Sequence, residues 1–256
     1  MGSSYLYMRV AQYILDLIES QELKPGDQLD SERNLSARLG VNRLTVRKGI
    51  EMLVAQGVLR RVPSKGTFVA DPKIDQRADQ VLGFSDQVLS SGLQPGAKVL
   101  DVVVVPATKQ ISRELKVEVG TPLWCIQRLR FANGEAVCIE HSHYPTSVCP
   151  GINEHDLSQS LYRIFKDKYN FEIKYVRQTL EAVAATHTEA ELLRVNVKDP
   201  LMLVVRVGYD QAGQPVEFAN EWYRGDRCRF VILGEGPADT QPSRDAFVAK
   251  DFLRKY

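Results

Sequence analysis

The feature that most constrains the fold of this chain is a repeat in its second half. The stretch LKVEVGTPL at residues 115–123 returns as LRVNVKDPL at 193–201, and after one inserted residue Tyr144 matches Tyr223. Each copy has the pattern of a strand, a short helix and a long hairpin. The repeat therefore predicts an α+β domain with a mainly antiparallel sheet built from two similar halves. The predicted strands are 99–105 and 175–184, the helices 109–115 and 188–194, and the hairpins 123–144 and 201–223, with a linking helix inside 156–169.

The first seventy residues have helical periodicity instead. Apolar residues spaced from Leu6 to Leu17 predict a helix over 5–21. Ser31 can cap a second helix that ends at Gly40, and Asn42 can cap a third. The short connection between these two helices is typical of a helix-turn-helix. Two β-rich runs around residues 63–66 follow as a basic hairpin, so residues 1–70 are predicted to form a winged helix.

Charge is distributed unevenly along an otherwise ordinary globular composition of 44% hydrophobic and 25% charged residues. The net charge is only +1, but residues 38–66 hold seven basic side chains and one acidic one. Such a segment indicates a polyanionic partner. Arg43, Thr45 and Arg47 crowd the first turns of the third helix, which are the turns that a recognition helix presents to base edges.

Residues 5–70 resemble the DNA-binding domain of GntR-type bacterial repressors. The resemblance is carried by LDSERNL at 29–35, VNRLTVR at 41–47 and KGTFV at 65–69. It implies that DNA is contacted by Arg33, Arg43, Thr45 and Arg47, with the wing tip at Lys65 and Gly66 in the minor groove. Asn42 can also reach phosphate or base atoms.

Three residues depart from that family pattern. Asp30 stands where proline is usual, Gly49 where alanine is usual, and Ser64 where a wing glycine is common. A glycine inside a recognition helix costs about 1 kcal/mol in helix propensity. None of these departures changes the predicted winged helix.

Two arginines extend the apolar face of the strand at 123–131. Trp124, Ile126, Arg128 and Arg130 share one face, because side chains alternate along a strand. Arg128 has a counterpart in Arg206 of the second copy, whereas Gly208 stands at the position equivalent to Arg130. The second positive charge is therefore not required by the repeated fold. This favours an anion-binding site over the alternative, in which both arginine side chains extend to solvent at the end of the sheet.

Residues 82–231 resemble the effector domain of the HutC subfamily of these repressors. The matching segments include LGFS at 82–85, QRLR at 127–130, SLY at 160–162, PVE at 215–217 and YRGDR at 223–227. The resemblance implies a chorismate-lyase-like fold that senses a small molecule. It places Arg128, Arg130, Ser160 and Tyr162 around a phosphate, and Glu140, Glu217 and Tyr223 on the polar remainder of an effector.

The placement of Glu140 depends on the register of its hairpin. A regular two-residue turn at Asn133 and Gly134 would set Ile139 opposite Arg128 and leave Glu140 on the other face. We therefore predict an odd-length loop or a β-bulge in this hairpin.

The domain organisation predicted from these patterns is a winged helix at 1–70, a linker at 71–80, an effector and dimerisation domain at 81–233 and a tail at 234–256. The apolar end of the tail (Phe247, Val248, Phe252 and Leu253) can dock as a helix. One winged helix covers one half-site, so we expect a homodimer on a near-palindromic DNA operator. The predicted mechanism is that of a repressor released by a small anionic effector.

Other classes of protein are disfavoured. The chain has no apolar run long enough for a membrane helix, and no basic, apolar leader, so a cytoplasmic protein with reduced cysteines is expected. No catalytic, P-loop or dinucleotide fingerprint is present, so we predict neither an enzyme nor a cofactor. A metal or redox sensor built from Cys138, His141, His143 and Cys149 is the alternative, although Cys138 would face away from the histidines.

Overall fold

A computed structural model of the chain describes residues 2–62, 64–71 and 73–234. The helix predicted in the tail lies outside these residues. Within the described part, no helix is long and apolar enough to cross a membrane.

The first domain consists of three helices and a two-stranded hairpin: α1 (Gly2–Glu19), α2 (Glu32–Leu39), α3 (Arg43–Ala55), β1 (Leu59–Val62) and β2 (Gly66–Val69). The predicted caps are present, since Ser31 accepts a hydrogen bond from the Asn34 N–H and Gly40 ends α2 with a φ of 65°. The helices enclose an apolar core that includes Ile14, Leu35 and Ile50. The predicted helix-turn-helix and hairpin are thus confirmed.

Two of the departures from the family pattern have a structural reason or a structural cost. A Cβ atom added to Gly49 would lie 2.9 Å from the Tyr7 carbonyl oxygen and 2.9 Å from Val10 Cγ1, so glycine lets α3 pack closely against α1. Ser64 adopts a φ of 61°, in the left-handed region where glycine is favoured. The propensity cost of Gly49 is therefore offset by close helix packing.

The second domain is organised around a six-stranded antiparallel sheet. Its strands are β4 (Pro95–Pro106), β5 (Pro122–Ala132), β6 (Glu135–Pro145), β7 (Tyr175–Ala184), β8 (Pro200–Tyr209) and β9 (Pro215–Arg224). They are hydrogen-bonded in the order β4-β5-β6-β9-β8-β7. The two copies of the repeat form the two halves, which meet where β6 pairs with β9. The predicted α+β fold with two similar halves is confirmed.

Helices cover both faces of this sheet. They are α4 (Phe84–Ser90), α5 (Lys109–Leu115), α6 (Leu161–Tyr169) and α7 (His187–Leu193), with a short 3-10 helix at Ile152–Glu154. Leu161 and Phe165 of α6 pack with Ile126 and Tyr144 on one face. Leu193 of α7 packs on the opposite face. The linking helix predicted inside 156–169 is confirmed, and it begins at Leu161.

The hairpin of β5 and β6 contains the predicted bulge. Ala132 pairs with Glu135 and Phe131 with Ala136, but Arg130 pairs with Cys138, so that Val137 is the extra residue. The β8–β9 hairpin skips Val216 in the same way, since Tyr209 pairs with Pro215 and Gly208 with Glu217. Because of each bulge, the side chains of the returning strand that face α6 are those that would otherwise lie on the opposite face of the sheet.

The segment predicted as a linker contains a strand that sequence analysis did not predict. β3 (Ile74–Arg77) pairs in parallel with β10 (Cys228–Val231), which lies near the end of the described chain. Ile74 and Gln76 are fully buried. The polar composition of 71–80 predicts a linker and not a strand. The strand forms because it pairs with a segment about 150 residues away in the sequence.

Candidate functional site

Charged side chains gather on the sheet face that α4 and α6 cover. Six of the seven predicted effector residues line one small cavity there. Tyr223 does not line it, but its hydroxyl donates to Glu221, which does. The cavity volume is about 20 Å³, room for about one water molecule. Its lining also includes seven residues that the sequence analysis did not assign to the site: Gly83, Phe84, Ser85, Tyr144, Leu161, Arg206 and Glu221.

Glu140 lies between the two arginines of β5. Arg128 Nη2 donates to both carboxylate oxygens at 2.7 and 2.9 Å, and Arg130 Nη1 donates to Oε2 at 2.8 Å. All three residues are at least 94% buried. Burial acts to raise the pKa of Glu140, but the positive charges of Arg128 and Arg130 outweigh it and lower that pKa to about 2. Glu140 is therefore ionised in the folded protein.

The two arginines differ in their other contacts. Arg128 Nη1 donates to the carbonyl oxygens of Leu157 at 3.1 Å and Gln159 at 3.0 Å, which ties β5 to the segment before α6. Arg130 Nη2 donates to Ser85 Oγ at 3.0 Å, and its guanidinium carbon lies 4.4 Å from the centre of the Phe84 ring. Arg128 thus connects β5 with the segment before α6, whereas Arg130 connects it with α4.

Two further carboxylates belong to the second half of the sheet. Glu217 accepts hydrogen bonds from the hydroxyls of Tyr144 at 2.6 Å and Tyr162 at 2.8 Å. Glu221 accepts from the Tyr223 hydroxyl at 2.9 Å and pairs with Arg206 at 3.3 Å. Burial raises the pKa of both carboxyls, so each holds a proton more readily than a solvated glutamate.

Ser160 and Tyr162 stand at the start of α6, between the small cavity and a larger one. Ser160 is the N-cap of α6, and its hydroxyl accepts a hydrogen bond from the Arg163 N–H at 3.4 Å. The neighbouring cavity has a volume of about 420 Å³ and shares Ser160 and Tyr162 with the first. Its remaining lining includes charged side chains of both signs, among them Asp86, Arg163 and Lys174.

Some of the cavity residues that the sequence analysis missed could have been found from the alternation of side chains along a strand. Tyr144 lies four residues after Glu140, and Glu221 four residues after Glu217, so each pair shares one strand face. Arg206 was recognised as the counterpart of Arg128 but was not assigned to the site. Phe84 and Ser85 come from α4, and no local pattern brings that helix to β5.

The alternative metal or redox site does not assemble. Cys138 lies on the β6 face that carries Glu140, whereas His141 and His143 lie on the other face. His141 packs against Trp222 and His143 against Phe218. Across residues 2–62, 64–71 and 73–234, no group of three or more His, Cys, Asp or Glu side chains is arranged to hold a metal ion.

The predicted DNA-binding residues lie in the first turn of α2, at the start of α3 and at the hairpin tip. Arg33, Arg43, Arg47 and Lys65 are exposed, whereas Thr45 is only 7% exposed and faces the core. The Asn42 side chain accepts a hydrogen bond from the Thr45 N–H at 2.8 Å and so caps α3. Arg47 is paired with Glu32 at 2.9 Å. The roles of these residues in DNA binding stay predictions.

The wing tip is fixed to the rest of the first domain. Gln28 Nε2 donates to the Lys65 carbonyl oxygen at 2.8 Å. Gly66 has a φ of 119°, and an added Cβ would lie 2.8 Å from that same Gln28 nitrogen. A side chain at position 66 would therefore disturb both the turn and its anchor.

Comparisons with known proteins agree with both domains. The family model "Bacterial regulatory proteins, gntR family" matches residues 6–69, and the UTRA domain model matches residues 90–229. The HTH-type transcriptional repressor NagR of Bacillus subtilis is 32% identical over 88% of this chain and 93% of its own length. The mannosyl-D-glycerate transport/metabolism system repressor MngR of Escherichia coli is 25% identical over 92% of this chain and 98% of its own length.

A solved structure is also similar to this chain over both domains. The crystal structure of PhnF from Mycobacterium smegmatis superposes with a TM-score of 0.66 at 26% identity, over 89% of this chain and 100% of that one. NagR and MngR are repressors, and the matched family model is one of regulatory proteins, which confirms the prediction that this chain is a regulator and not an enzyme. Regulators of this kind bind DNA operators, so DNA is a partner of the first domain. The chain therefore belongs to the GntR family of bacterial regulatory proteins, and its second domain is a UTRA domain.

Proposed function

We propose that this protein is a repressor that leaves its operator when a small anionic metabolite binds the second domain. Residues 1–70 bind DNA, and residues 81–233 bind the effector and hold two chains together. The observation that carries the proposal is the burial of Arg128 and Arg130 against a single shared carboxylate, Glu140. Paired guanidiniums are suited to phosphate or carboxylate.

The arrangement of charges in the cavity supports an anion as the ligand. Glu140 alone pairs with both Arg128 and Arg130, and it is the carboxyl whose pKa these arginines lower. Burial raises the pKa of Glu217 and Glu221 instead. An anion that displaced Glu140 would therefore pair with two guanidiniums at once.

The closed cavity implies that side chains move when the effector binds. A volume of about 20 Å³ is too small for a sugar derivative. We infer that the anionic group takes the place of Glu140 on Arg128 and Arg130, next to Ser160 and Tyr162. The freed Glu140, with Glu217 and Tyr223, then binds hydroxyl or amino groups. The 420 Å³ cavity beyond Tyr162 supplies the way in.

The names of relatives support a sugar derivative in this role. One relative, from Shigella flexneri, is a probable fructoselysine utilization operon transcriptional repressor, 29% identical over 89% of this chain. MngR is named for a mannosyl-D-glycerate system. A phosphorylated or carboxylated sugar combines the hydroxyls and the anionic group that this cluster of side chains would bind.

A chain of contacts connects the cavity with the segment that joins the domains. Arg130 donates to Ser85 of α4, and Gln87 of the same helix accepts a hydrogen bond from the Arg77 N–H of β3 at 2.9 Å. A shift of α4 on effector binding would therefore reach β3, which follows the wing. In a homodimer on a near-palindromic operator, this shift would change the spacing of the winged helices.

Titration of the full-length protein tests the proposal. Hexose phosphates and sugar acids are added to a complex of protein and fluorescent operator, with the neutral parent sugars as matched controls. We expect an anionic sugar to bind and to release the DNA, and DNA to weaken sugar binding by the same factor. Release by the neutral sugar with equal potency, or tighter operator binding in the presence of the anionic ligand, would contradict it.

A further inference from the structure

The recognition helix α3 exposes a large apolar side chain on its outer face. Leu44 is 61% exposed, more than any other large apolar residue in the described part of the winged helix. The inner face of α3 is apolar and fully buried at Val46, Ile50 and Leu53. Leu44 belongs to none of the apolar clusters of the described chain and thus contributes little to the core.

The position of Leu44 on the helix is that of a base-contacting residue. It is the second residue of α3, whose first turn is fixed by the Asn42 cap. Helical side chains tilt toward the N-terminus, and the N-terminal turns of a recognition helix are those that reach base edges. Arg43 precedes Leu44, and Arg47 lies on the next turn of the same exposed surface.

We propose that Leu44 reads the 5-methyl group of a thymine in the major groove of each operator half-site. Thymine is the base whose major-groove edge presents a methyl group, and apolar side chains recognise it by contact. Contact removes both the leucine and the methyl group from water, which is favourable for apolar surface. The inference rests on DNA binding, which family membership establishes, and not on the proposed effector.

Replacing thymine by deoxyuridine tests this inference, because the exchange removes only the methyl group. An operator is first selected from random duplexes with the full-length protein, and each thymine of a half-site is then replaced in turn. The affinities of the wild type and of Leu44→Ala are measured by fluorescence anisotropy. Alanine is a stronger helix former than leucine, so the variant keeps α3. Leu89→Ala, which truncates a 47% exposed leucine of α4, is the matched control.

We expect one thymine position at which uracil weakens wild-type binding about fourfold, the loss expected for one methyl-sized apolar contact. Leu44→Ala should bind the thymine operator about fourfold more weakly and should not distinguish thymine from uracil at that position. Leu89→Ala should behave as the wild type does. The inference is overturned if the wild type tolerates uracil everywhere, if Leu44→Ala keeps the discrimination, or if the selected half-site contains no thymine.

Discussion

Glu140 lies directly opposite Arg128 across β5 and β6, although the two-residue turn of their hairpin would by itself place Ile139 there. The extra residue Val137 changes the register by one, so that Glu140 joins the face that carries both arginines. One bulge thus determines whether the buried guanidiniums have a carboxylate partner.

Glu140→Gln should destabilise the second domain strongly. The change leaves two buried guanidiniums without a negative charge, and breaking a buried ion pair in this way costs about 3–5 kcal/mol. Inorganic phosphate should restore more stability to this variant than to the wild type, because the arginine pair becomes available to an anion. Thermal unfolding with and without phosphate measures both effects.

Glu114→Gln is the matched control for that experiment. Glu114 also pairs with an arginine, Arg177, but on the surface and outside the lining of both cavities. Solvent screens exposed pairs, so we expect only a small change in stability and no added response to phosphate. Equal phosphate responses in the two variants would count against an anion site at Arg128 and Arg130.

The dependence of stability on pH should have two opposing parts. The pKa of Glu140 is lowered from 4.5 to about 2, so its stabilising contribution is present above pH 4.5 and is lost as the pH falls from 4.5 to about 2. The pKa values of Glu217 and Glu221 are raised above 4.5, so their contribution is present at pH 4.5 and is lost as the pH rises.

The free energy of unfolding, measured in urea from pH 2 to pH 8, separates these parts. Glu140→Gln should remove part of the loss below pH 4.5, and Glu217→Gln part of the decline above it. If Glu140→Gln loses as much stability below pH 4.5 as the wild type does, the acid-induced loss does not come from Glu140.

Arg130→Gln should weaken the response to effector while operator binding is kept. Arg130 contacts Glu140, Ser85 and the Phe84 ring, but it does not bond the α6 segment as Arg128 does. Loss of a hydrogen bond to a charged ligand corresponds to about tenfold or more in affinity. Release of the operator is measured while anionic sugars are titrated into Arg130→Gln and into the exposed control Arg113→Gln. Loss of operator binding in Arg130→Gln alone would indicate a structural role for Arg130.

Arg47→Ala should weaken operator binding and leave effector binding unchanged. Arg47 is half exposed on α3, and a bidentate arginine–guanine contact is worth about 1–3 kcal/mol, or about 5–150-fold in affinity. Fluorescence anisotropy with the operator and calorimetry with the effector measure the two activities separately. An unchanged operator affinity would exclude Arg47 from the contact surface.

Site residues could be predicted from the sequence where the alternation of side chains along a strand determines which sheet face they occupy. Arg128 and Arg130 could be placed together from alternation, and Glu140 could be added once a bulge was assumed. The linker strand β3 could not be predicted, because Ile74 and Gln76 are buried only through pairing with β10. Ser85 and Phe84 were missed for a similar reason, since α4 reaches Arg130 from 45 residues away.

The sequence by itself determined the winged helix and the two-part sheet, because helix caps, apolar periodicity and the internal repeat are local patterns that follow from backbone geometry. Only the tertiary structure decided which charges meet. The pairing of Glu140 with both arginines depends on one bulge, and the closure of the cavity depends on α4 and α6 packing over the sheet. Interactions between distant segments leave no periodic signal, so they become visible only when the chain is folded.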